Sequence, residues 1–176
     1  MKLYWVIFFS VFFVQLSFAD EASVSQPNFL IFMTDDQSYW HTSANGDPVV
    51  KTPNFDRVVS EGVNFSHCFA NAPSCTPARG AFLTGRHVYE LEEASVLQGT
   101  FPKKFSTFQE LLWNAGYHCG YLGKAWGPGV WNATGRTFDP GGIPYRLKRE
   151  EAPDVGLSTT DYIKNFKKFL KDREEG

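Results

Sequence analysis

Cys75-Thr76-Pro77-Ala78-Arg79-Gly80-Ala81-Phe82-Leu83-Thr84-Gly85-Arg86 reads as one short helix with a reactive residue at its start. Thr76-Pro77 suits a first turn, because proline there gives up only an amide that a helix start leaves unpaired. Gly85 suits the stop. Cys75 then sits where unpaired backbone N–H groups and the positive end of the helix dipole favour an anion, whether thiolate or bound oxyanion. Arg79 follows four residues later and shares its face. The same residues also admit a plain buried cysteine at a helix start.

Outward from this stretch, strands and helices alternate. Asn28 to Thr34 holds the run Phe29-Leu30-Ile31-Phe32-Met33, which suits a central strand buried on both faces and ends in Asp35-Asp36. Thr52-Pro53 predicts a helix start, with Phe55, Val58 and Val59 on one face and Gly62 at the end. Val63, Phe65 and His67 alternate with polar residues before Cys68-Phe69, predicting a second strand. Downstream, Ser106-Thr107-Phe108-Gln109 matches a capping box, followed by an apolar stripe of Phe108, Leu111, Leu112 and Ala115. Tyr117 to Leu122 predicts a strand that ends at Gly123-Lys124, and the Gly/Pro-rich stretch from Ala125 to Gly156 predicts a long surface excursion. Ser158-Thr159-Thr160-Asp161 predicts the start of a last helix whose apolar face is Tyr162, Phe166, Phe169 and Leu170. This order gives an α/β fold with a mostly parallel sheet covered on both sides. Ligands in such sheets sit beyond the carboxyl ends of the strands. Asp35-Asp36, Cys75 and Lys124 each come just after a predicted strand.

The 176 residues, 43% of them hydrophobic, suffice for one globular domain. A net charge of -2 gives no reason to invoke nucleic acid or an anionic membrane surface, so an anionic substrate needs local basic residues. Met1 to Ala19 has a lysine, an apolar core from Leu3 to Leu16 and the small-x-small end Ser17-Phe18-Ala19, the pattern of a secretory leader. Its apolar core is shorter than the roughly 20 residues of a membrane span. The expected organisation is a leader over 1–19 and a catalytic portion over 20–176. Export places it in the periplasm or outside a bacterium, or in the lysosome or secreted in a eukaryote. Export also permits disulfides, so Cys68 and Cys119 either pair or remain buried thiols.

Adjacent carboxylates at a strand end, such as Asp35 and Asp36, are hard oxygen donors suited to calcium or magnesium. They serve equally well in a turn. The residues alone leave both readings open.

The order Cys75-Thr76-Pro77-Ala78-Arg79 followed by Thr84-Gly85-Arg86 resembles the sulfatase signature. Thr52-Pro53-Asn54-Phe55-Asp56 and Gly123-Lys124-Ala125-Trp126-Gly127 extend the resemblance from Asn28 to Gly127, nearest to sulfamidase and polysaccharide sulfatases. The resemblance implies the N-terminal part of an alkaline-phosphatase-like α/β/α sandwich. It implies that a maturation enzyme converts Cys75 to formylglycine. One hydroxyl of the aldehyde hydrate, activated by a metal, attacks sulfur and expels the alcohol or amine; the other loses its proton as the carbonyl re-forms and sulfate leaves. The implied catalytic set is Cys75, Arg79 and Lys124, with Arg79 on the hydrate and Lys124 on the sulfate. The implied metal is calcium rather than magnesium, held by Asp35, Asp36 and the modified Cys75. The implied substrate is a sulfated carbohydrate or another sulfate ester.

Trp126 departs from the pattern, standing where the family usually has histidine. That leaves His41, His67, His87 and His118 as unassigned proton-transfer candidates. The family takes further metal ligands from later in its chain, so the expectation for these 176 residues by themselves is inactivity and poor solubility. A phosphonate or phosphate monoester hydrolase of the same superfamily is the alternative enzyme, and a sulfated-glycan-binding pseudoenzyme the alternative without turnover. Trp126, Trp131 and Tyr145 either stack on a sugar ring or pack the excursion onto the core.

Overall fold

Thr52 and Pro53 start a helix where the sequence predicts one, and α1 runs over Pro53–Glu61 with Gly62 after it. The computed structural model describes residues 26–147, 151 and 158–173, and the leader reading at Met1 to Ala19 lies outside them. The chain divides into two compact units, Met1–Asn64 and Phe65–Gly176.

In the first unit, α1 is tied to a short 3-10 turn at Ser43–Asn45 through one carboxylate. Asp56 accepts from the Ser43 hydroxyl at 2.6 Å, the Thr52 hydroxyl at 3.0 Å and the Ala44 amide at 3.0 Å. These bonds, that of Ser43 above all, hold its carboxyl below the usual carboxylate range. The predicted central strand is a correction. Phe29 to Met33 pairs with no strand among the described residues, and Phe32 is 90% exposed. A strand buried on both faces needs a ladder on each edge and a layer on each side. The described residues of this unit offer α1 and a turn. The second predicted strand, Val63 to Phe69, is likewise exposed and unpaired among the described residues.

In the second unit, α2 spans Cys75–Thr84. Ser74 precedes it in an extended conformation, and Gly85 ends it with φ 67° while donating to the Ala81 carbonyl at 2.8 Å. The buried side of α2, Ala81 and Leu83, joins Leu91, Ala94, Phe101, Phe105 and Trp126 in the core. Helix α3, Phe108–Asn114, starts one residue later than predicted: Thr107 and Glu110 make the reciprocal capping box, not Ser106 and Gln109. Buried Arg136 pairs with Glu110, donates to the Phe105 carbonyl and lies 4.6 Å from the Phe101 ring centre.

Strands β1, Gly120–Leu122, and β2, Ile143–Tyr145, pair in parallel with Gly120 opposite Ile143 and Leu122 opposite Tyr145. β2 falls inside the stretch expected to be a surface excursion, so that expectation is corrected: Trp126 and Tyr145 are both buried. Gly142 enters β2 at φ 94°, and a Cβ there would lie 2.7 Å from the Cys119 carbonyl oxygen. Helix α4, Tyr162–Asp172, is capped by Asp161, which accepts from the Lys164 amide at 2.9 Å, and it packs on both strands. Its buried face is narrower than predicted. Phe169 meets the His118 and Tyr145 rings, and buried Asn165 bonds Leu147 in both directions. Tyr162, Phe166 and Leu170 stay largely exposed. Cys68 is an exposed free thiol and Cys119 a buried one, so neither the disulfide nor the pair of buried thiols holds. Burial pushes the Cys119 thiol up.

Candidate active site

Cys75 is the first residue of α2 and is exposed, while Thr76 and Pro77 beside it are buried. Docking of those two neighbours fixes the helix start and leaves Cys75 facing out. The loop after β1 turns at Gly123, φ 75°, and presents Lys124 to solvent.

Two hydrogen bonds to backbone and one from an indole tie that loop to α2. The Arg79 guanidinium donates through Nη1 to the carbonyls of Lys124 at 2.8 Å and Ala125 at 3.2 Å. In the other direction, Trp126 Nε1 donates to the Thr76 carbonyl at 3.2 Å. The Trp126 indole is 6% exposed and meets Phe101 edge to face at 4.9 Å. An indole N–H is a donor only, so Trp126 holds the loop and does not shuttle a proton. Sequence reasoning missed this clamp. Its one signal was an unexpected tryptophan two residues after Lys124.

The structure therefore gathers Arg79 and the Lys124 loop on the helix that carries Cys75. Only Lys124 follows an observed strand; Cys75 and Asp35-Asp36 follow irregular backbone, which corrects the strand-end reading for both. His118 bonds the Tyr145 hydroxyl at 2.9 Å and belongs to the strand–helix packing. His87 stacks on Tyr89, and its ring pairs with the Asn71 amide at 3.2 Å. His67 is exposed and lies outside any strand. His41 is exposed in the first unit.

Asp35 and Asp36 lie in the first unit, both exposed at a bend. Asp36 has φ 52°, a left-handed conformation that aspartate tolerates better than most side chains. Their donor set fits a hard divalent cation, but calcium takes about six to eight oxygens and two carboxylates supply four at most. Among the described residues, no three His, Cys, Asp or Glu side chains gather into a metal-holding group. Among those residues, no helix is long and apolar enough to cross a membrane.

The family model described as Sulfatase matches residues 27–176. Human arylsulfatase D is 36% identical over 119 residues, covering 62% of this chain and 20% of that protein. Rat steryl-sulfatase is 35% identical over 131 residues, 68% of this chain and 23% of that protein. The N-acetylglucosamine-6-O-sulfatase of Bacteroides thetaiotaomicron is 36% identical over 102 residues, 56% of this chain and 18% of that protein. The chain thus spans about a fifth of the length of these relatives. No solved structure matches it.

Proposed function

The chain belongs to the sulfatase family, and on that premise we propose that it serves the hydrolysis of sulfate esters through a formylglycine made from Cys75. The family's fold is α/β of the alkaline-phosphatase type, and the parallel β1–β2 pair packed by α4 is in keeping with it. The observation that carries the proposal is the exposed Cys75 at the first turn of α2, with Arg79 one turn on bonded to the Lys124 loop.

Each residue then has a task. The first amides of α2 favour a bound oxyanion beside position 75. Lys124 places a cation where sulfate oxygens gain charge. Arg79 positions that lysine by gripping its carbonyl, and Trp126 seals the loop against α2. Formylglycine at position 75 supplies an aldehyde hydrate as the nucleophile. Asp35 and Asp36 would hold a divalent metal, calcium in this reading, which would supply fixed positive charge. The name of the bacterial relative supports a sulfated sugar as the substrate class. Export from the cytoplasm and conversion by a maturation enzyme belong to the same proposal.

The test is mass spectrometry of the peptide containing residue 75, from protein made in its own host. The expected species is the aldehyde, and a free thiol in every copy overturns the proposal. Turnover of an aryl sulfate in preference to the matching aryl phosphate, abolished by Cys75→Ala, separates this reading from a phosphate monoester hydrolase.

A further inference from the structure

We propose that Asp139 is a positioning residue for Lys124, acting through the turn that leads into β2. The task of Lys124 rests on the sulfatase reading; the seat of its loop does not, and the two are measured separately.

The turn is built on a buried carboxylate. Asp139 is 9% exposed, and a carboxylate taken out of water must be met by donors. One oxygen accepts from the Gly141 amide at 2.9 Å and the other from the Tyr121 hydroxyl at 2.9 Å. Burial, foremost, pushes the Tyr121 phenol up, which keeps its proton available to Asp139. Arg146 Nη2 donates to the same phenol oxygen at 2.8 Å. The backbone closes the turn, with the Gly142 amide donating to the Asp139 carbonyl at 2.9 Å. The Thr107 hydroxyl, at the cap of α3, donates to the Pro140 carbonyl at 2.9 Å, and both residues are buried.

What this turn supports is the loop that bears Lys124. A Cβ at Gly141 would lie 2.1 Å from the Ala125 Cβ and 3.3 Å from Tyr121 Cδ1, so turn and loop touch with no space for a methyl between them. Ala125 is thereby held twice. Its carbonyl accepts from Arg79 at 3.2 Å, and its methyl rests against Gly141. Arg79 fixes the loop to α2, and the turn fixes it to the strand pair. A cation that must meet an oxyanion needs its support held to within about 0.5 Å. Without the Asp139 carboxylate the Gly141 amide loses its acceptor, and the turn can shift off Ala125.

The test uses the full chain. The seat is read from the nuclear Overhauser contact between the Ala125 methyl and the Gly141 α-protons. The site is read from the concentration of inorganic sulfate that half-protects Lys124 against acetylation. Asp139→Ala should erase the contact and raise that concentration about tenfold, the worth of one charge-assisted hydrogen bond. Asp139→Asn, which keeps an acceptor for the Gly141 amide, should retain the contact and most of the protection. Gly141→Ala, which forces the turn off Ala125 with Asp139 intact, should weaken protection as much as Asp139→Ala does. Asn165→Ala is the control: it removes the bonds between α4 and Leu147 and should lower stability while leaving both readouts unchanged. Persistence of the contact in Asp139→Ala, full protection in Gly141→Ala, or an equal loss in Asn165→Ala overturns the proposal. If sulfate fails to protect Lys124 in the unaltered chain, the hydrolase reading of that lysine fails, and the Overhauser contact alone decides the role of Asp139.

Discussion

The apolar run Phe29-Leu30-Ile31-Phe32-Met33 and the core around Trp126 use the same kinds of side chain and end in opposite states. Phe32 is 90% exposed, while Phe101 and Leu91 are fully buried. The difference lies in what the chain brings to each. Trp126 finds Phe101 and the buried face of α2, and its one polar atom finds the Thr76 carbonyl. The run at 29–33 offers two strand edges, and no strand among the described residues of its unit lies along either. Hydrophobicity makes a core only where side chains and backbone groups both find partners.

Four measurements would break or sharpen that contrast. Trp126→Ala should cost about 3–5 kcal/mol in denaturant unfolding, through a cavity and the lost hydrogen bond to the Thr76 carbonyl. A loss below about 1 kcal/mol would mean that the core does not depend on this indole. Arg79→Met should cost about 1–3 kcal/mol, because two carbonyls lose a charged donor. Hydrogen exchange should rise at Lys124 to Trp126 and stay unchanged in α1.

The third is a pH effect in the first unit. The Ser43 hydrogen bond, foremost, holds the folded Asp56 carboxyl below the ordinary aspartate range, so its contribution is complete above that range and disappears as pH falls through the folded value. Acid titration followed by the Ala44 amide resonance should show release of the Ser43–Asp56 clamp. Asp56→Asn should remove that transition. The smallest effect belongs to Phe32→Ser, which should stay within about 0.5 kcal/mol and improve solubility. A large loss there would show that the run is packed after all.

Local signals were the legible ones. The Thr52-Pro53 start, the Gly85 stop and the opening over Ser158-Thr159-Thr160-Asp161 each depend on neighbours within a few residues, and each helix forms where it was expected. The capping box slipped by one residue because Ser106 with Gln109 and Thr107 with Glu110 both match the pattern; the box closes on the pair with the charged acceptor. β2 was hidden by Pro144, which suits an edge strand because it has no N–H for a ladder. Cys75, Arg79 and Lys124 were legible as a motif. The clamp that joins them was not, because its bonds span 45 to 50 positions and end on backbone oxygens.

Gly141 sets how closely the turn into β2 approaches the loop that bears Lys124. With hydrogen in place of a methyl, that turn lies flush against Ala125. An alanine at this position would act as a wedge and prise the two stretches apart. The seat of the lysine loop is thus encoded in an atom the chain lacks.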